Sequence, residues 1–153
     1  MARPSGRRRG RLAYACLTLT QLRQYRPRSY DLAFNGERKR STALMVCLAN
    51  CRQFGNGAII APRALIDDGL LDIVVVEERS RLRTVCAVPR LFRGHMERVP
   101  GVTMSRTHHV TISADVPLLF HVDGEAVEGP STLVGRVHPG GLKIRALGTK
   151  AHI

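Results

Sequence analysis

Two acidic turns in this 153-residue chain carry the residue types from which chemistry can be built. Phe120-His-Val-Asp-Gly-Glu125 places a glutamate directly after a turn dipeptide, at the expected rim of a sheet. A carboxylate there can take a proton from a substrate hydroxyl, provided a partner surface brings the substrate. Ala61-Pro-Arg-Ala-Leu-Ile-Asp-Asp-Gly-Leu-Leu-Asp72 is the second run. A tight turn exposes backbone carbonyls on one side, and an aspartate beside them adds a charged oxygen. A hard cation such as Mg²⁺ takes oxygen ligands and keeps several waters. Both runs also have a plainer reading. Asp68-Gly69 and Asp123-Gly124 are each the common hairpin dipeptide, and Asp67 can bond the backbone locally.

The elements that must position these residues read mainly as strands. Residues 1–11 are a basic head expected to be disordered, and 12–28 a helical segment, with Leu12, Ala15, Cys16 and Leu19 at helical spacing and Pro27 as its stop. Residues 29–147 form the expected β domain, and 148–153 a tail. Ser29 to Phe34 extends, Asn35-Gly36 is a hairpin signal, and Glu37 to Thr42 returns. Ala43 to Ala49 reads as an apolar strand buried on both faces. Leu70 to Val76 is β-branched and reads as a strand. Ser80 is the expected N-cap of a helix to about Arg93, with Leu82, Val85, Cys86 and Phe92 inward, Pro89 kinking or splitting it, and Gly94 stopping it. Five short strands follow, at 102–106, 109–113, 117–122, 133–138 and 142–147. Their spacing of 8 to 12 residues suits an antiparallel β-sandwich or barrel with one or two helices.

Composition narrows the classes. No apolar run approaches the length of a membrane-spanning helix, and Leu12 to Leu19 lacks the flanks of a signal peptide. The net charge of +12 is concentrated in the head: residues 1–40 hold 11 Lys+Arg against 2 Asp+Glu, whereas residues 41–153 hold 13 against 10. A basic head meets phosphates on nucleic acid or lipid headgroups, or is a solvated tail. Nucleic acid is disfavoured because aromatics are only 5% with no tryptophan, leaving few stacking platforms. The cysteines at 16, 47, 51 and 86 include no Cys-x-x-Cys, and four strand residues put Cys47 and Cys51 about 13 Å apart, too far for a disulfide. They read as reduced core residues of a cytoplasmic protein. The histidines offer no zinc-ligand spacing, and on a strand His108 and His109 face opposite ways.

Ala49-Asn-Cys-Arg-Gln-Phe-Gly-Asn-Gly57, then Ile60-Ala-Pro-Arg-Ala-Leu-Ile-Asp-Asp-Gly-Leu-Leu-Asp-Ile-Val-Val-Val76, then Val122-Asp-Gly-Glu125 occur in this order, with Pro89 and Gly94-His95 between them and His138-Pro-Gly near the end. Together they resemble the C-terminal half of the bacterial diacylglycerol-kinase-like lipid kinases, related to sphingosine kinases and more distantly to NAD kinases. The resemblance spans roughly residues 30–147, with a weaker match over 12–28. It implies a β-sandwich whose acidic turn holds a structural Mg²⁺ through the Asp68 side chain and the carbonyls of Leu65 and Leu70. It implies Glu125 as the base, a lipid with a free hydroxyl as substrate, ATP as co-substrate, and a cytoplasmic location, peripheral at the inner membrane face.

The sequence departs from the family pattern in two places. Cys51 stands where a glycine is usual, and Asn56 interrupts Gly55 and Gly57. A Cβ at 51 is expected to tighten the loop. The family's Gly-Gly-Asp-Gly-Thr loop, whose N–H groups cradle phosphates, has no match, so no cofactor-binding residue is expected in these 153 residues. The expectation is a truncated or mis-started lipid kinase, inactive alone, that needs a nucleotide-binding half, which a separate gene could encode. An inactive lipid- or partner-binding module is the alternative.

Overall fold

The computed structural model describes residues 27–54, 57–122 and 125–143. The helix expected before Pro27 lies outside them, and Arg28 already belongs to a strand. Ten strands follow in chain order: β1 (Arg28–Phe34), β2 (Glu37–Ala49), β3 (Gln53–Phe54), β4 (Ala58–Ile59), β5 (Leu71–Glu77), β6 (Val102–Thr107), β7 (His109–Ala114), β8 (Leu119–Val122), β9 (Glu125–Glu128) and β10 (Thr132–Arg136). One helix, α1 (Arg81–Arg93), and a 3₁₀ turn at Met96–Arg98 lie between β5 and β6. Six strands form an antiparallel sheet in the order β10-β7-β1-β2-β5-β6, and β3-β4 and β8-β9 are separate two-stranded pairs. The architecture is mainly β and sandwich-like, as the strand spacing predicts.

The Asn35-Gly36 hairpin forms as expected. Both residues have positive φ, 51° and 78°, as a two-residue hairpin turn demands. It joins β1 to a single 13-residue β2 rather than two strands. Ala43 to Ala49 is not buried on both faces: Ala43 and Ala49 are buried, but Met45 is exposed. The register shifts between Ala43 and Met45. Such an irregularity changes which face a side chain takes, which strict alternation does not anticipate.

β5 is the strand buried on both faces. Ile73 and Val75 join a core with Tyr30, Leu32, Val110 and Ile112, against which Leu118 and Phe120 of the β8–β9 region pack. Val74 and Val76 join a second core with Ile60, Ala61, Ala64 and Leu91 of α1. The sheet is thus covered by the β8–β9 hairpin on one side and by α1 with the 60–64 segment on the other.

The helix differs from expectation in three details. It runs unbroken through Pro89. Pro89 and Val85, whose carbonyl loses its helical partner, are both exposed, so water can take the bond. Val85 and Cys86 face solvent, Leu91 packs against the second core and Phe92 is half-buried; the Leu82 side chain lies outside those described. Ser80 occupies the N-cap position without a side-chain capping bond. Gly94 does stop the helix, at φ 72°, with its N–H on Leu91 O and the His95 N–H on Arg90 O. A Cβ on Gly94 would lie 3.3 Å from Ile59, so the stop also allows close packing on β4.

Leu142 and Lys143 are not in a strand, and the rest of the strand expected there lies outside the described residues. The cysteines are not core residues as a group. Cys51 and Cys86 are exposed and Cys47 is half-buried; all three are free thiols. Burial, then the neighbouring Cys51, pushes the Cys47 thiol up to about 11. No helix among the described residues is long and apolar enough to cross a membrane.

Candidate functional site

The acidic turn begins on a strap of small buried residues. Ile60, Ala61 and Ala64 pack into the second core. The Ala61 N–H bonds Arg52 O at 3.3 Å, tying the strap to the loop that contains Cys51. Cys51 itself does not take left-handed backbone, since Asn35 is the only non-glycine with positive φ among the described residues. The thiol lies at the surface and donates to Gln53 O at 3.3 Å.

Past the strap, Leu65, Ile66 and Asp67 are exposed and Asp68 turns inward. The Asp68-Gly69 pair does not close a hairpin, because β4 pairs with β3 and β5 pairs with β2 and β6. It is an Asx-turn at the entry to β5. Asp68 Oδ1 accepts the Leu70 N–H at 3.0 Å, so Asp68, not Asp67, bonds the backbone locally. Gly69 takes φ 70°, and a Cβ there would lie 3.4 Å from the Pro139 ring, so the His138-Pro-Gly segment packs on the turn. His108 closes the other side: its Nδ1 lies 3.0 Å from Gly69 O, and because a carbonyl only accepts, Nδ1 carries the proton. His108 sits at the break between β6 and β7 rather than within a strand, so it does not alternate with His109.

Sequence reasoning misses the residue that ties this region together. Arg106, on β6, faces Asp72 directly across the β5–β6 ladder. Its Nε lies 3.3 Å from Asp72 Oδ1, its Nη1 lies 3.7 Å from Asp68 Oδ2, and its Nη2 donates to Arg63 O. Asn35 Nδ2 donates to Arg106 O at 2.8 Å, fixing the Arg106 backbone from the β1–β2 turn. The one available signal is a lone arginine in the otherwise neutral strand Val102-Thr-Met-Ser-Arg106-Thr107, with acidic residues in β5's approach.

The donor set is compatible with a hard cation. Asp68 Oδ2 and Asp72 Oδ2 are buried and have no hydrogen-bond partner. Two carboxylate oxygens without donors suit an ion that takes oxygen ligands and retains water. The described residues contain no cluster of three or more His, Cys, Asp and Glu, so backbone carbonyls and water would have to complete any shell.

Glu125 occupies a contrasting position. It opens β9 opposite Val122, at the far end of the β8–β9 hairpin. Its side chain is exposed and makes no hydrogen bond or ion pair with a described residue. Asp123 and Gly124 lie outside the described residues. The hairpin is anchored at its base by Gly129 N–H on Leu118 O at 2.9 Å and Leu118 N–H on Pro130 O at 3.3 Å. Leu119, Val122 and Val127 leave apolar surface exposed along it. The structure therefore puts Asp68 and Glu125 on separate elements. Two concave surfaces, of about 370 and 600 Å³, run along the β1–β2 hairpin and β7 and include neither residue.

Known proteins share this fold. The chain is 33% identical over 118 residues to a diacylglycerol kinase of Mycobacterium tuberculosis, matching 76% of this chain and 38% of that protein. The chain thus spans well under half the length of this curated relative. A crystal structure of a candidate diacylglycerol kinase from Bacillus anthracis str. Sterne shares the fold, with a TM-score of 0.65 at 17% identity over 80% of this chain and 40% of that one. A diacylglycerol kinase structure from the same organism gives 0.56 at 14% identity, over 78% and 43%. Residues 1–146 match the YegS C-terminal NAD kinase beta sandwich-like domain, and the chain belongs to that family, the C-terminal domain of lipid kinases of the YegS and diacylglycerol kinase type.

Proposed function

We propose that this chain is the lipid-binding and base-carrying half of an ATP-dependent lipid kinase, with Glu125 as the base. The observation that carries the reading is the bare carboxylate of Glu125. It lies on an exposed hairpin, unpaired among the described residues and bordered by exposed Val122. A base must be within reach of its proton and not already bonded. In the reaction a Glu125 oxygen takes the proton of the lipid hydroxyl. The hydroxyl oxygen then forms its bond to the γ-phosphorus of ATP as the bond to the ADP oxygen breaks. Phosphoryl transfer asks the protein mainly for positioning and charge stabilisation. The phosphate-cradling part lies outside these 153 residues, on the same polypeptide or on a separate partner.

The Asp68 turn is the proposed site of Mg²⁺, held by the Asp68 side chain and the carbonyls of Leu65 and Leu70. Asp68 Oδ2, buried without a hydrogen-bond donor, supports this. The ion would supply fixed positive charge to a turn that braces the rim. A cytoplasmic location, peripheral at the inner membrane face, fits a lipid substrate and the exposed Leu119, Val122 and Val127. The lipid is diacylglycerol-like, by analogy with the relatives' activity.

The test uses labelled ATP, Mg²⁺ and diacylglycerol. The chain alone should form no labelled phosphatidic acid. Mixed with the N-terminal half of the Mycobacterium tuberculosis relative, it should form label above the blank. Label from the chain alone would overturn the two-half reading. Lipid binding without label in any mixture would favour an inactive binding module.

A further inference from the structure

Asp68, Asp72 and Arg106 leave a charge imbalance. Two carboxylates face one guanidinium, and each carboxylate keeps one buried oxygen without a donor. The Asp72 side chain is only 5% exposed. A buried carboxylate oxygen with no partner is costly, and such groups are normally paired or bind a metal. The two contacts of Arg106 are unequal. The 3.3 Å approach of Nε to Asp72 is a hydrogen bond, whereas the 3.7 Å approach of Nη1 to Asp68 is charge proximity alone. The backbone of Arg106 is pinned by Asn35, yet its side chain is 38% exposed, so the guanidinium has room to withdraw.

Resting on the Mg²⁺ reading of the Asp68 turn, we propose that Arg106 is a tethered counter-ion that exchanges with a divalent cation at Asp68, with Asp72 as its resting partner. Without the metal, Nη1 sits beside Asp68 and offsets its charge, so the turn stays closed on β5. With the metal at Asp68, the like charge of the ion repels the guanidinium, which keeps only its bonds to Asp72 and the Arg63 carbonyl. Arg106 is a positioning residue in this scheme, and Asp72 decides how readily it lets go. The exchange makes the turn's order independent of metal while weakening the turn's affinity for it.

The test is calorimetric titration of MgCl₂ into the full chain, with thermal melts in EDTA and in Mg²⁺. Arg106→Gln removes the competitor and should tighten Mg²⁺ binding by up to about fivefold, the scale of a partly exposed ion pair. It should also melt earlier in EDTA and recover in Mg²⁺. Asp72→Asn should act oppositely and weaken Mg²⁺ binding several-fold, because Arg106 then rests on Asp68 alone. Arg106→Lys keeps a cation and should bind Mg²⁺ nearly as the parent does, which tests the exchange even if the glutamine variant folds poorly. A purely structural arginine would give lower melting temperatures with no change in Mg²⁺ affinity, and that result overturns the exchange. Asp68→Asn separates the two levels. If it abolishes binding while Arg106→Gln changes nothing, the metal site stands and the exchange falls. If Asp68→Asn leaves binding intact, the metal assignment falls, and the exchange with it.

Discussion

The two acidic turns of this domain are alike in sequence and opposite in construction. Asp68 is held by its own backbone bond to Leu70, faced by Arg106, and flanked by His108 and Pro139 on Gly69. Glu125 has no partner among the described residues, and its strand pairs only with β8. Groups from distant parts of the chain hold the first turn, whereas the described strands beside the second are joined at a base of Leu118, Gly129 and Pro130. An aspartate bound in this way cannot easily exchange protons with a substrate, but it can fix geometry. A carboxylate left unbonded contributes little to the fold and remains available for proton transfer. The difference is the one expected if Asp68 is architectural and Glu125 is the proposed base.

The sharpest way to break this contrast is Glu125→Gln in the two-half enzyme, which keeps shape and removes the base. Turnover should fall by about 10²-fold or more, the typical contribution of a positioned base. The melting temperature should not move, because no bond in the described fold is lost. Measuring both on one preparation decides the matter: an unchanged rate removes Glu125 from the chemistry, and a large loss of stability makes it architectural after all.

Asp68→Ala should show the reverse profile. It strips the acceptor from the Leu70 N–H and the counter-charge from Arg106. Loss of that bond at a partly buried site should cost about 1–3 kcal/mol in chemical denaturation. The stabilisation conferred by Mg²⁺ should disappear with it. Stability and Mg²⁺ response that both match the parent would remove the metal from this turn.

Gly129→Ala probes the hairpin's base. A Cβ on Gly129 would lie 2.6 Å from Phe120 Cε1, so the ring that plugs the first core must shift. Overpacking of this kind should cost about 1–2 kcal/mol. Because Phe120 and Glu125 share one hairpin, turnover should fall somewhat while Mg²⁺ affinity stays as it was. An equal change in Mg²⁺ affinity would mean that the two turns are coupled rather than independent.

What the sequence made legible was local. Asn35-Gly36, the β-branched run before Glu77, and Gly94 each declare their structure through backbone preferences acting over a few residues. The exposed faces of β2 and α1 were not legible, since a register shift and the placement of β4 decide them. The brace on Asp68 was hidden for the same reason. Arg106 lies 34 positions from Asp72 and meets it only because β5 and β6 pair in one register. The motif marks the residues that turn the chain, and the distant residues that hold the turn belong to no motif.

The smallest expected effect belongs to Asp123→Asn, and it tests which carboxylate of the second turn carries chemistry. Asp123 and Gly124 form the turn dipeptide by sequence, and an aspartate there is expected to be occupied with backbone N–H groups. Asparagine serves such a turn as well as aspartate does. This protein already uses that solution elsewhere: Asn35-Gly36 closes β1 onto β2 with both residues at positive φ. Asp123→Asn should therefore copy a turn the chain is known to make, with stability changed by less than about 0.5 kcal/mol. Turnover should stay near normal, because the proposed base is Glu125 and its charge is kept. Glu125 has the longer side chain, opens the returning strand and is not needed to close the turn. Turnover and melting temperature of Asp123→Asn and Glu125→Gln, measured side by side, settle the assignment. If Asp123→Asn loses turnover and Glu125→Gln keeps it, the roles are reversed, and the hairpin's turn residue is the base.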